Sequence, residues 1–213
     1  MQLYFSPLAC SLATRIALYE AGADARLVEV DPKTKRIMDD GSDYTQVYPL
    51  GMVPALRTDD GELITENAAI LQYVADRFPA AKLAPERGIA RTRLQQWLCF
   101  IGTELHKALF IPLFDKKAPD GTAANTLAKG ESRLAYLNDH LTGREFLLDG
   151  FSVADAYLYT VLNWSMATPV KFDRFPAIAA YFERMKQRPS IAKAFAEELA
   201  LYKAEMARHK QAA

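Results

Sequence analysis

The chain has 213 residues, half of them hydrophobic and about a quarter charged, the composition of one large or two small domains with a sizeable core. Lys plus Arg and Asp plus Glu stand at 26 each, so no basic excess points to a nucleic acid partner. Two cysteines and three histidines, without metal-ligand spacing, give neither a disulfide framework nor a metal site, and the expectation is a reducing, cytoplasmic compartment with no metal. The chain opens directly on a strand pattern and carries no uninterrupted apolar run of bilayer length, so neither a signal peptide nor a membrane partner is expected.

The first third alternates strand and helix signals. Residues 3–5 read as a strand, and Pro7 marks a turn. Leu12, Ile16, Ala17 and Tyr19 repeat at helical spacing up to Gly22. Residues 26–30 alternate as a strand that Asp31-Pro32 ends, and residues 33–48 read as a loop with a short helix. Residues 53–57 and 62–64 form two strands around the turn Asp59-Asp60-Gly61. Thr65 is the expected N-cap of a helix over 66–78. This order predicts a small mixed sheet covered by helices.

Beyond residue 80 no strand pattern remains. Residues 89–114 read as a long helix with Leu94, Trp97, Leu98, Ile101, Leu105 and Leu109 on one face and Pro112 bending or ending it. A second helix covers 122–141. Ser152-Val153-Ala154-Asp155 is a capping box with Asp in place of the usual Glu, opening a third. Further helices start at Pro176 and Pro189, and the charged tail from Glu197 is expected to fray.

Cys10 falls where a strand, a turn and a helix start meet, a position that favours a thiolate; the plain alternative is a buried apolar cysteine. No cysteine stands at position 13, so Cys10 has no resolving partner there. Ser11 can donate to a thiolate through its hydroxyl or backbone N–H. Val53-Pro54 can present the Val53 backbone to an extended ligand if its bond is cis, or is an ordinary trans edge proline. Glu66 at a helix start can receive an ammonium while nearby N–H groups receive a carboxylate, or simply cap its own helix. His106 shares a helical face with Cys99, Gly102 and Thr103, small residues that leave space beside it. Phe5, Phe110, Phe114 and Trp164 are candidate walls of a second-substrate pocket.

Together these residues resemble the cytosolic glutathione transferases, specifically the bacterial beta class. The resemblance runs from Leu3 to about Phe195. It rests on Pro7-Leu8-Ala9-Cys10-Ser11-Leu12-Ala13, Gly51-Met52-Val53-Pro54-Ala55-Leu56, the run from Leu63 to Ile70 with Thr65-Glu66-Asn67, Thr103-Glu104-Leu105-His106-Lys107, and Phe151-Ser152-Val153-Ala154-Asp155-Ala156-Tyr157, in that order. It implies an α/β thioredoxin-like N-terminal domain over 1–80, a linker over 81–87, an all-α C-terminal domain over 88–213, and a homodimer. It implies a transferase that conjugates glutathione, its co-substrate, to electrophilic small molecules, with thiol–disulfide exchange on disulfide substrates through Cys10 as a second mode. The resemblance makes Val53-Pro54 cis and pairs the Val53 backbone with the cysteinyl part of glutathione. It gives Glu66 and Asn67 the γ-glutamyl end and Lys35 the glycine carboxylate. Cys10 faces the sulfur, Ser11 and His106 assist, and Cys99, Thr103, Glu104, His106 and Lys107 contribute from the helical domain.

The chain departs from the family pattern at several positions. Phe5 stands where many transferases use a Tyr or Ser hydroxyl, and Tyr4 points to the other face of its strand. Leu8 replaces a frequent Gly, Asn67 a frequent Ser, and Cys99 a frequent Asn. Two rival readings are a non-enzymatic adaptor that kept the fold and a glutathione-dependent isomerase or dehalogenase. The joint retention of Cys10, Val53, Glu66 and His106 argues against the adaptor, and the lack of a Ser-Ser-Cys start against the isomerase.

Overall fold

The structure is a computed structural model and describes residues 1–211. It forms two compact units. One comprises Met1–Leu83 with the C-terminal helix, the other Ala84–Arg188.

In the first unit β1 (Gln2–Phe5), α1 (Leu12–Glu20), β2 (Arg26–Glu29), β3 (Ala55–Arg57), β4 (Leu63–Thr65) and α2 (Asn67–Arg77) follow one another. The sheet order is β2-β1-β3-β4, with β1 parallel to β2 and antiparallel to β3, and β3 antiparallel to β4. This is the expected thioredoxin-like arrangement. Every residue from Leu3 to Phe5 is buried, so β1 is covered on both faces. Tyr4 belongs to a core cluster with Val28, Val30, Ile37 and Tyr44, its ring 5.3 Å from that of Tyr44. Phe5 is buried under the Arg15 guanidinium, 5.4 Å from its ring centre, and so belongs to the core of this unit. Thr65 closes β4 and does not cap α2. The N-cap is Glu66, whose side chain makes no capping bond.

The second unit is all helical. A 27-residue helix spans Gly88–Phe114, built from α3 (Gly88–Phe100), a π-helical segment (Ile101–Phe110) and a last α turn, α4 (Ile111–Phe114). By length and composition it is apolar enough to cross a bilayer, although Arg91, Arg93, Glu104 and Lys107 interrupt its apolar run. Its residues Leu94, Leu98, Ile101, Leu105 and Leu109 are nonetheless buried in the protein. The wide turns end just before Pro112, whose ring would otherwise crowd the carbonyl four residues back. Then come α5 (Thr122–Leu141), α6 (Val153–Asn163) and α7 (Pro176–Lys186). Gly130 lets α5 approach the π-helical segment: a Cβ there would lie 2.5 Å from Leu109 Cδ1.

The capping box at α6 is formed in full. The Asp155 carboxylate is wholly buried and accepts from the Leu147 and Ser152 N–H groups and the Ser152 hydroxyl, each at 2.9 Å, and from the Tyr181 hydroxyl at 3.0 Å. Burial raises its pKa, and these donors oppose the rise.

The last helix corrects two expectations. The expected all-α domain runs over 88–213 with a tail fraying from Glu197, but α8 (Pro189–Gln211) is continuous and packs along α1 in the first unit. Ile191, Ala194, Glu198 and Glu205 form its buried stripe. Its end is fastened to the end of β2 and the loop beyond by Arg208–Glu29 and His209–Asp31, both at 2.7 Å. Burial would raise the Asp31 carboxyl, but the Thr34 and Lys33 N–H groups and His209 bring it down to about 2. That contribution is therefore complete above the ordinary carboxyl range and is lost as pH falls through about 2. Residues 212–213 of the expected tail lie outside the described residues.

Asp155→Ala leaves four backbone or hydroxyl donors without their buried acceptor. It is expected to lower the unfolding free energy by about 3 kcal/mol or more in urea titrations, whereas an exposed control such as Asp149→Ala is expected to change it by less than about 0.5 kcal/mol.

Candidate active site

Cys10 lies in the turn between β1 and α1, two residues before the helix begins, and is partly buried. Its thiol donates to the Val53 carbonyl at 3.2 Å, a bond that only the protonated thiol makes. The Val53–Pro54 peptide is cis, as the resemblance implies, and strand β3 starts at the next residue, Ala55.

The turn is tied down from several sides. The Asn67 amide nitrogen donates to the Cys10 carbonyl at 3.0 Å, and its oxygen accepts from the Thr14 hydroxyl at 3.0 Å. Ser6 donates to the Val30 carbonyl at 2.6 Å. The Ser11 hydroxyl donates to the Ser6 carbonyl at 3.2 Å and accepts from the Ser6 N–H at 3.4 Å. That hydroxyl is buried in a backbone bridge, which corrects the expectation that it reaches a thiolate and leaves its N–H as the remaining route. Likewise Asn67 spends its side chain on the Cys10 turn, which leaves its N–H to face a ligand.

Leu8 holds a left-handed backbone, φ 58°, which is costly for a side chain other than Gly. Its N–H donates to Glu198 of α8 at 2.7 Å. Glu198 is wholly buried, and its other oxygen lies 3.7 Å from Arg15 Nη1 without a hydrogen bond. Burial pushes its pKa up to about 8, with the Leu8 N–H and Arg15 pulling the other way. Arg15 and Tyr19 both donate to the neighbouring Glu197. The sequence reading missed Glu198. The available signal was a carboxylate on the apolar stripe Ile191, Ala194, Glu198.

Glu66 is exposed and left-handed, φ 66°. Its carbonyl accepts from Ala69 and Ile70, while the N–H groups of Asn67 and Ala68 open α2, where no intrahelical acceptor exists. A carboxylate and unsatisfied donors therefore share one helix start, as expected for an α-amino acid group. Lys35 is half-buried, also left-handed, and its stem lies over Gly51, where a Cβ would meet Lys35 Cδ at 3.2 Å. Among the described residues its ammonium forms no ion pair.

In the helical unit, His106 is buried in the π-helical segment. Its Nδ1 is 2.8 Å from the Tyr157 hydroxyl, and its ring stands edge-on to Trp164 at 4.8 Å. Burial, helped by Lys107, lowers its pKa to about 4, so the ring is neutral at ordinary pH. Phe110 and Phe114 also stand edge-on to Trp164, at 5.9 and 5.8 Å, so three of the four candidate walls are neighbours. Of the small-residue face, Cys99 and Thr103 are exposed and His106 is buried, and Gly102 borders the Tyr157 hydroxyl that His106 bonds. Thr103 donates to the Cys99 carbonyl at 3.0 Å, Glu104 pairs with Arg133 at 2.7 Å, and Lys107 is exposed. The sequence reading gave Tyr157 no role, since its contact to His106 spans 51 positions. Of the other histidines, His140 bonds the Leu147 carbonyl at 2.9 Å and His209 bonds Asp31.

Residues 9–77 match the family of glutathione S-transferase N-terminal domains, and residues 97–189 that of the C-terminal domains. The chain is 43% identical over 200 residues to glutathione S-transferase GstA of Escherichia coli O157:H7, covering 93% of this chain and 98% of that one. A sphingomonad glutathione S-transferase solved in complex with glutathione superposes with a TM-score of 0.88 at 44% identity, over 93% of this chain and 98% of the other. A bacterial beta class glutathione S-transferase from Sphingomonas chungbukensis does so with 0.87 at 42% identity, with the same coverage.

Raising the pKa of Glu198 makes the folded protein hold its proton more tightly than the unfolded chain. Its contribution to stability is therefore complete below about 4.5 and lost as pH rises through about 8. In Glu198→Gln, urea unfolding between about pH 5 and about pH 8.5 is expected to show a pH slope flatter than wild type by more than about 1 kcal/mol over the interval. Parallel slopes in the two proteins would assign the titration elsewhere.

Proposed function

The chain belongs to the glutathione S-transferase family and to its bacterial beta class, and from that premise we propose that it conjugates glutathione to electrophilic small molecules as a cytoplasmic homodimer. The observation that carries the reading is the Cys10 thiol 3.2 Å from the Val53 carbonyl, beside a cis peptide and tied through Asn67 to the start of α2. In this reading Val53 pairs its backbone with the cysteinyl part of glutathione. Glu66 takes the γ-glutamyl ammonium, and the N–H groups of Asn67 and Ala68 its carboxylate. The ammonium of Lys35 takes the glycine carboxylate. From the helical unit, Cys99, Thr103, Glu104, His106 and Lys107 contribute to glutathione recognition.

The chemistry follows from charge. Conjugation needs a glutathione thiolate, and donors aimed at that sulfur lower the cost of forming it. The N–H of Ser11, the Cys10 thiol and His106 are the donors proposed. In a second mode the Cys10 thiolate attacks a disulfide of glutathione, forms the mixed disulfide and releases one glutathione thiolate. External glutathione must then resolve it, because position 13 is Ala13.

Cys10→Ala is expected to retain conjugation of an aryl halide within about tenfold of wild type, since Cys10 assists through one hydrogen bond and does not attack in that mode. Treated with oxidised glutathione, wild type is expected to gain one glutathione at Cys10 by mass spectrometry, and the variant none. Absence of the wild-type adduct would remove the exchange mode. Calorimetry without any glutathione binding to wild type would favour the adaptor instead.

A further inference from the structure

His106 has two ring nitrogens, and which of them carries the proton decides what the ring can do to a neighbouring sulfur. With the proton on Nε2, Nε2 is a hydrogen-bond donor; with the proton on Nδ1, Nε2 is a base. Nδ1 is already engaged by the Tyr157 hydroxyl at 2.8 Å, with the two rings edge-on at 89°. No bond to Nε2 is formed among the described residues.

We infer that Tyr157 is the positioning residue for His106: its hydroxyl donates to Nδ1 and keeps the imidazole proton on Nε2, so that His106 serves its ligand as a hydrogen-bond donor and not as a base. The inference rests on the reading of His106 as part of the glutathione machinery. Donation in this direction is the stronger arrangement. A phenol O–H is a better acid than an imidazole N–H, and the unprotonated imidazole nitrogen is a better acceptor than a phenol oxygen.

The surroundings hold that geometry in place. Tyr157 is 3% exposed and sits on α6 two residues past Asp155, whose capping box fixes where the helix begins. The hydroxyl borders Gly102, one turn before His106, where a Cβ would stand 3.6 Å from it, an ordinary contact. On the other side, the Ile111 N–H reaches back five residues to the His106 carbonyl, a widened turn of the kind found at functional sites. Trp164 stands edge-on to the imidazole at 70°, limiting its rotation. Burial and the Lys107 charge keep the ring neutral, so a second proton does not erase the distinction between the two nitrogens. A neutral Nε2–H stabilises a thiolate without taking its proton, which leaves to solvent.

Three histidines in the chain make the test direct. Long-range proton–nitrogen NMR of the 15N-labelled free protein near neutral pH, with His106→Gln used to assign the signal, is expected to show the Nε2–H tautomer in wild type and a mixture in Tyr157→Phe. Conjugation by Tyr157→Phe is expected to have kcat reduced about tenfold at nearly unchanged KM for glutathione. An Nδ1–H tautomer in wild type overturns the inference whether or not the variant folds. So does a folded Tyr157→Phe with an unaltered tautomer or an unaltered kcat. Wild type without any conjugating activity would instead overturn the transferase reading, while the free-protein spectrum still decides the tautomer.

Discussion

A turn that presents a thiol must leave its backbone out of regular structure, and every polar group it buries must then find a partner elsewhere. Between Ser6 and Ser11 that requirement is met by side chains far apart in sequence. Glu198 takes the Leu8 N–H, Asn67 takes the Cys10 carbonyl, and Ser6 and Ser11 bridge the strand end to the helix start. The left-handed conformation of Leu8 is retained because Glu198 holds it from α8. The C-terminal helix is thus part of the thiol's support.

The same logic organises the helical unit around a different buried carboxylate. Asp155 gathers the Leu147 N–H, the start of α6 and the Tyr181 hydroxyl. Its cost of burial is offset only while all of these donors are present. Two residues past Asp155, α6 carries Tyr157, and Tyr157 holds His106. A folding motif and a site residue are therefore linked by two residues of helix. In both units a wholly buried acid, Glu198 or Asp155, fixes the segment from which a candidate site residue projects.

The fold was largely legible in the sequence because periodicity reports burial. The strand–helix alternation up to residue 78, the turn at Asp59-Asp60-Gly61, the Ser152–Asp155 box and the helix starts at Pro176 and Pro189 all follow from local patterns, and the structure contains each of them. Three features escaped for physical reasons. The π-helical segment has no sequence period of its own, so the sequence read 89–114 as one regular helix. The run from Glu197 looked solvated, yet Glu198 and Glu205 face inward, Glu198 toward Arg15 of α1 and the Leu8 N–H, Glu205 beside His209 of its own helix. Thr65 looked like an N-cap, but β4 claims it for the sheet.

At the site the division is similar. The sequence by itself determined which residue types were present: a monothiol at Cys10, a Val-Pro pair at 53–54, an acid and an amide at 66–67, and a histidine in a long helix. Only the tertiary structure decided what each does with its polar atoms. The Ser11 hydroxyl and the Asn67 amide turned out to support the backbone around Cys10, and the role of His106 came to depend on Tyr157. Residue type is a local property. A hydrogen bond across 51 or 190 positions exists only once the chain has folded, and those bonds set the direction in which each candidate donor points.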